Sequence, residues 1–94
     1  MSHNLPILKI RITKEASNDL DYWVKSGEKK ILAKINSLIA DCLNNPTSGL
    51  GAPELLRFQD YPTYSRRINR IHRLVYRIED QELIIISARY HYEK

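Results

Sequence analysis

The apolar residues of this chain change their spacing once, and that change limits what it can fold into. Up to residue 43 they recur at helical intervals: Ala16, Leu20, Trp23 and Val24, then, past Ser26-Gly27, Ile31, Ile35, Leu38, Ile39 and Cys42. Each set forms a stripe that must face a core, so the two stripes predict a helical hairpin. From residue 55 onward the pattern shortens to strand-like alternation over Leu55 to Phe58, Tyr64 to Asn69, His72 to Glu79 and Glu82 to Tyr92. Short turns between these segments predict an antiparallel meander. Asn44 to Pro53 separates the two regimes with two asparagines, two prolines, two glycines, a serine and a threonine, the composition of a surface loop. Ahead of the helices, Ile7, Leu8, Ile10 and Ile12 flank Lys9 and Arg11 as in a strand, and Thr13 stands where a helix cap belongs. The expected fold is α+β, with an N-terminal strand and a helical hairpin packed on one face of an antiparallel sheet whose other face stays open.

At 94 residues the chain has the length of one domain, expected to span residues 1–94. It contains no apolar run of about 18 residues and begins with no signal-like segment, so a cytoplasmic protein is expected. Its single cysteine, Cys42, lies on the second helical stripe and reads as core rather than nucleophile. No zinc-ligand spacing joins His3, His72, His91 and Cys42, and no phosphate-binding Gly-Lys-Ser/Thr loop is present, so no cofactor is expected.

The net charge of +4 is unevenly placed. Between Arg57 and Arg77 stand six arginines (57, 66, 67, 70, 73 and 77), no lysine, and one acid, Asp60. The planar fork of arginine matches phosphate oxygens bidentately, so this segment reads as an anion-binding surface and the open sheet face as a cradle for a nucleic-acid strand.

Alternation puts Arg73, Val75 and Arg77 on one face of their strand and Leu74, Tyr76 and Ile78 on the other. The next strand's phase depends on the turn. A two-residue Asp80-Gln81 turn pairs Glu79 with Glu82; a three-residue loop pairs Ile78 with Glu82. The expectation is the second register, or a bulge of equal effect, because it gathers Leu74, Tyr76, Ile78, Ile84, Ile86 and Ala88 under the helices and Arg73, Arg89 and His91 on the open face.

RNA carries its own nucleophile, the 2′-hydroxyl. A metal-free nuclease therefore needs a base for that hydroxyl, a cation for the phosphorane and an acid for the leaving 5′-oxygen, roles open to Glu54, Arg73 and His91. Each also has a plainer reading: a surface acid, half of a structural ion pair, a polar residue near the terminus.

The order of motifs adds to this. Gly49-Leu50-Gly51-Ala52-Pro53-Glu54-Leu55-Leu56-Arg57, Ser65-Arg66-Arg67-Ile68, His72-Arg73-Leu74-Val75-Tyr76 and Tyr90-His91-Tyr92 together resemble the YoeB/Txe branch of the RelE-like toxins, as do Asp21-Tyr22-Trp23 and Lys34 to Ile39. The resemblance implies a toxin of a type II toxin-antitoxin system. Such a toxin is a metal-free endoribonuclease that enters the ribosomal A site, cleaves mRNA through a 2′,3′-cyclic phosphate and so inhibits translation. It implies Glu54 as base, Arg73 as phosphate stabiliser and His91 as acid, with RNA contacts from Arg57, Arg67 and Tyr92. Arg66, from the same arginine-rich segment, is expected to bind RNA or the ribosome. The implied partners are mRNA on the 70S ribosome and an antitoxin of the YefM/Phd kind with an acidic tail; homodimers occur among relatives. The chain departs from the family pattern in Leu55, where proline often follows the glutamate, in Thr63-Tyr64, in Arg70-Ile71 and in the added Glu93-Lys94. The reading from another class is a non-catalytic RNA- or ribosome-binding module. It is disfavoured because a carboxylate beside a phosphate weakens binding and serves only catalysis.

Overall fold

In a computed structural model, which describes residues 6–57 and 59–90, the chain forms a strand, two helices and four further strands. These are β1 (Lys9–Ile12), α1 (Lys14–Lys25), α2 (Lys29–Asn44), β2 (Glu54–Leu55), β3 (Tyr64–Arg67), β4 (Arg73–Glu79) and β5 (Glu82–Ser87). The strands join in one five-stranded sheet of order β1-β5-β4-β3-β2. Strands β2 to β5 make the expected antiparallel meander, while β1 pairs with β5 in parallel, so the sheet is mixed. The helical hairpin carries the chain from β1 at one edge to β2 at the other, and the meander then returns to set β5 beside β1 in parallel.

Thr13 begins the helical part as its sequence position predicts. Its hydroxyl oxygen accepts from Ala16 N–H at 3.1 Å and donates to the Ile86 carbonyl at 2.9 Å. One side chain thus caps α1 and ties it to the sheet. Ala16 and Trp23 of α1 and Ile35, Leu38 and Cys42 of α2 are buried against Leu74, Tyr76, Leu83, Ile85 and Ala88, the core the stripes foretold. Burial pushes the Cys42 thiol up, in keeping with an inert core residue. Among the described residues no helix is long and apolar enough to cross a membrane.

The β4–β5 pairing differs from the expected one throughout, and only beyond a bulge does the expected facing of Ala88 return. A two-residue Asp80-Gln81 turn pairs Glu79 with Glu82, Ile78 with Leu83 and Tyr76 with Ile85. Leu83 and Ile85, rather than Ile84 and Ile86, therefore join the core under the helices. The register then shifts so that Val75 pairs with Ser87, and Ile86 is the extra residue on β5. Beyond this point the bulge has the anticipated effect, turning Ala88 to the core beside Leu74. The Thr13 hydroxyl takes up the bulge residue's carbonyl.

Strand β5 ends at Ser87, well short of the expected Tyr92, for a visible reason. The Ala88 N–H donates to the Asp19 carboxylate at 2.9 Å, and its carbonyl accepts from the Trp23 indole at 2.9 Å. Helix α1 thus draws the backbone out of the ladder. Arg89, expected beside Arg73 on the open face, instead lays its guanidinium 3.5 Å from the centroid of the Tyr22 ring on α1.

Replacing Trp23 with Phe keeps the ring in the core but leaves the buried Ala88 carbonyl without its donor. Such a loss costs about 1–2 kcal/mol, and a lower urea midpoint at unchanged slope would register it.

Candidate nucleic-acid interface

The loop from Asn45 to Pro53 leads from α2 and delivers Glu54 to the sheet edge, and a single buried arginine organises it. Arg66 on β3 points to the helix side and is fully buried. Its Nε donates to the Tyr76 hydroxyl at 3.0 Å, and Nη1 donates to the Asp41 carboxylate at 2.7 Å and the Leu50 carbonyl at 3.0 Å. Its Nη2 donates to the Ser48 carbonyl at 2.9 Å and to the Asn45 carbonyl. All five guanidinium N–H groups are therefore engaged within the fold. Arg66 has none left for RNA, which corrects the role expected of it. The Tyr76 hydroxyl in turn donates to the Pro46 carbonyl at 2.7 Å. The Arg66 guanidinium, followed by the Leu50 N–H, holds the Asp41 carboxyl below the usual carboxylate range.

Two glycines let the loop wrap this tightly. A Cβ at Gly49 would lie 2.3 Å from an Asp41 carboxylate oxygen, and one at Gly51 would lie 2.7 Å from a Leu38 methyl. Both have positive φ, as does Ala52 at 52°, a conformation disfavoured for alanine just ahead of Pro53-Glu54. The Gly51 carbonyl also accepts from the Arg67 N–H at 2.8 Å, which ties the loop to β3.

On the opposite, open face, cross-strand pairing assembles the predicted residues. Glu54 pairs with Ser65, Ser65 with Val75, and Arg67 with Arg73, so Glu54, Ser65, Arg67 and Arg73 share one face. Arg73 Nη1 donates to the Ser65 hydroxyl at 3.3 Å and lies 3.5 Å from Glu54 Oε1. The Glu54 side chain is 65% exposed and the Arg73 side chain 16%. Arg57 and Arg67 are exposed. Ser65, which enters the sequence reading only as part of a motif, accepts from the arginine that also meets the acid; the signal that could have found it is its two-residue offset from Arg67. His91 and Tyr92 lie outside the described residues. Tyr90, the last described residue, offers its carbonyl to the Arg73 N–H at 3.0 Å and donates its own N–H to His72 Nδ1 at 2.6 Å. His72, half-buried, meets the Trp23 ring edge-on at 4.7 Å.

Compared with known proteins, the chain matches over residues 12–92 the model of the YoeB-like toxins of bacterial type II toxin-antitoxin systems. It is 42% identical to the Toxin YoeB of Synechocystis sp. over 93% of this chain and all of that protein. A YoeB/ParE toxin from Agrobacterium tumefaciens superposes with a TM-score of 0.84 at 36% identity, covering 90% of this chain and 100% of that one. YoeB of Staphylococcus aureus, solved as a dimer, superposes at 0.80 with 39% identity, covering 92% and 99% of the two chains. A heterotetrameric complex of YoeB with the antitoxin YefM from Staphylococcus aureus gives 0.79 and 40%, covering 90% and 98%.

This geometry is open to two measurements. Arg66→Ala removes the centre of the hub and should destabilise the fold by roughly 3 kcal/mol, the scale for breaking a buried ion pair, whereas Arg67→Ala should leave the urea midpoint nearly unchanged. Burial, reinforced by the Arg89 charge, holds His72 below its ordinary value of 6.5. The unfolded chain then binds that proton more tightly. The stability owed to neutral His72 is complete above pH 6.5 and lost as pH falls through the folded value. Thermal midpoints should decline below that pH in the native chain and less in His72→Asn.

Proposed function

This chain belongs to the YoeB-like toxins of bacterial type II toxin-antitoxin systems, and from that premise we propose that it is a metal-free endoribonuclease cutting mRNA in the ribosomal A site. The observation that carries the reading is the Glu54–Ser65–Arg73 group on the arginine-rich sheet face, with the Glu54 carboxylate exposed beside a largely buried Arg73 and a buried Ser65. A carboxylate there has a use in chemistry that it lacks in binding. Glu54 would take the proton of the 2′-hydroxyl at the scissile nucleotide; that oxygen attacks the adjacent phosphorus, and Arg73 stabilises the charge gathering on the phosphorane.

The Arg73–Glu54 contact is loose, at 3.5 Å with the carboxylate largely in solvent. Exposed pairs of this kind contribute little, so a phosphate can take Arg73's free donors without a large penalty. Ser65 keeps the guanidinium aimed while Glu54 is released. His91 would donate a proton to the departing 5′-oxygen, leaving a 2′,3′-cyclic phosphate. Supporting that role, the residue before it, Tyr90, is bonded to the backbone of Arg73. Arg57, Arg67 and Tyr92 complete the proposed RNA contacts, with Arg67 in direct register with Arg73.

The proposed partner in the resting cell is an antitoxin of the YefM type, whose acidic tail would compete with RNA for the same arginines. The Staphylococcus aureus complex of YoeB with YefM supports this, and a YoeB dimer from that species supports self-association as a second state.

On programmed 70S ribosomes the native chain should cut within the A-site codon, leave a cyclic phosphate at the 3′ end, and fail on mRNA with a 2′-deoxynucleotide at the scissile position. Arg73→Ala should lower the single-turnover rate by the equivalent of roughly 2–4 kcal/mol, and His91→Ala should nearly abolish cleavage. Arg67→Ala should instead weaken binding in a salt-dependent way. Ribosome binding without any cut would show the chain to be a non-catalytic RNA-binding module.

A further inference from the structure

Beyond the Glu54–Arg73 group, the same face carries a concavity. Arg77 lies two residues beyond Val75 on β4 and shares its face, about 7 Å farther from the reacting groups at roughly 3.4 Å per residue. Residues 59–63 border a cavity of about 250 Å³ at this end of the sheet, with Gln59, Asp60 and Tyr61 on one side and Val75, Arg77 and Ile86 on the other. With water occupying about 30 Å³ per molecule, the cavity holds one ring system rather than a folded segment.

Three observations say what chemistry suits it. Arg77 Nε is buried and, among the described residues, is the one buried side-chain polar atom without a hydrogen-bond partner. A cationic N–H kept from water without an acceptor is costly, so an acceptor supplied by a ligand would be strongly felt. The guanidinium carbon lies 5.2 Å from the centroid of the Tyr61 ring, over one of its faces, and Tyr61 as a whole is 57% exposed. Thr63 fixes this ring's backbone by donating its hydroxyl hydrogen to the Tyr61 carbonyl at 2.8 Å. Finally, the surroundings are acidic. Asp60 lines the cavity, and Glu79 Oε1 stands 3.8 Å from Arg77 Nη2. A phosphate would meet both carboxylates, while a neutral planar ring with a carbonyl oxygen or ring nitrogen would not.

We propose that the Tyr61–Arg77 cavity is a nucleobase subsite, in which a base of the bound RNA packs against the exposed edge of Tyr61 and accepts a hydrogen bond from Arg77 Nε. The proposal deepens the nuclease reading and rests on it for the identity of the strand. Because Arg77 is four residues from Arg73 on the same face, about 14 Å along the strand, the base recognised belongs to a nucleotide near the scissile phosphate. The pocket then makes the cut depend on sequence at that position.

The experiment has two arms. In the first, native chain, Arg77→Ala, Arg77→Lys and Tyr61→Ala, each checked for an unchanged melting temperature, cleave a panel of A-site codons on programmed ribosomes. The substitutions should flatten the codon preference, with the best codons losing about five- to tenfold in kcat/KM, the scale of one hydrogen bond, and the poorest changing little. Arg77→Lys should not restore the preference, because lysine keeps the charge but not the Nε donor; restoration by lysine would mean a phosphate site and overturn the proposal. In the second arm, the Arg77 Nε–H resonance is tracked while ribodinucleotides of each base are added to the native chain, a reading that needs no cleavage. A base-dependent shift lost in Tyr61→Ala supports the subsite even if the nuclease reading fails. No shift with any base, or folded variants that cut every codon in the native order, would overturn the subsite and leave the nuclease reading standing.

Discussion

The fold places Glu54, its candidate base, by way of a side chain that lies on the opposite face of the sheet. Arg66 sits beneath the sheet and fastens the loop from Asn45 to Leu50 to β3, through Asp41 on one side and three backbone carbonyls on another. Without a cation there, the loop carbonyls turned inward would be unsatisfied and the loop would have no reason to lie flat on the sheet. Residues 49–53 inherit their path from this arrangement, and Glu54 inherits its position from theirs. A lysine could not replace the arginine, since one ammonium lacks the fork that reaches a carboxylate, a phenol and three carbonyls together. Two arginines adjacent in sequence thus serve opposite purposes: Arg66 holds the loop from the core side, and Arg67 faces solvent.

A second seam supports the other half of the site. Ala88 is held by Asp19 and Trp23, and Tyr90 by His72 and Arg73, so the segment after β5 is fastened alternately to α1 and to the start of β4. Arg89 stacks on Tyr22 within this seam rather than joining the open face. Asn69, whose side-chain oxygen accepts from the Ile71 and His72 N–H groups, fixes the turn that presents His72 and Arg73. Two independent fastenings, one for each flank, converge on Arg73.

Much of this is legible in the sequence, and the failures have physical causes. Helical and alternating periods mark both helices, the meander and most of the core, because burial on one face leaves a periodic trace. Periodicity carries no record of how a strand is interrupted. The expected phase of β5 is therefore one residue out before the bulge and correct after it, and the strand's end at Ser87 depends on Asp19 and Trp23, some 65 residues away or more. The expectation for Arg66 fails because a run of like charges carries no phase of its own. Alternation along β3 supplies that phase, putting Ser65 and Arg67 on one face and Arg66 on the other, under the helices. A cluster of like charges in sequence says nothing about how a sheet divides it.

That division bears on how an arginine-rich face can discriminate among RNAs. Arg67 and Arg73 lie side by side, and under the proposed function they would meet phosphates of any sequence and so favour binding without sequence preference. Arg77 shares their face but not their surroundings, for Glu79 and Asp60 stand near it and Tyr61 covers it. A cation flanked by acids attracts a phosphate less and a neutral acceptor relatively more. The same residue type, on the same strand and four positions apart, is thereby suited to charge stabilisation at one end and to recognition of a base at the other.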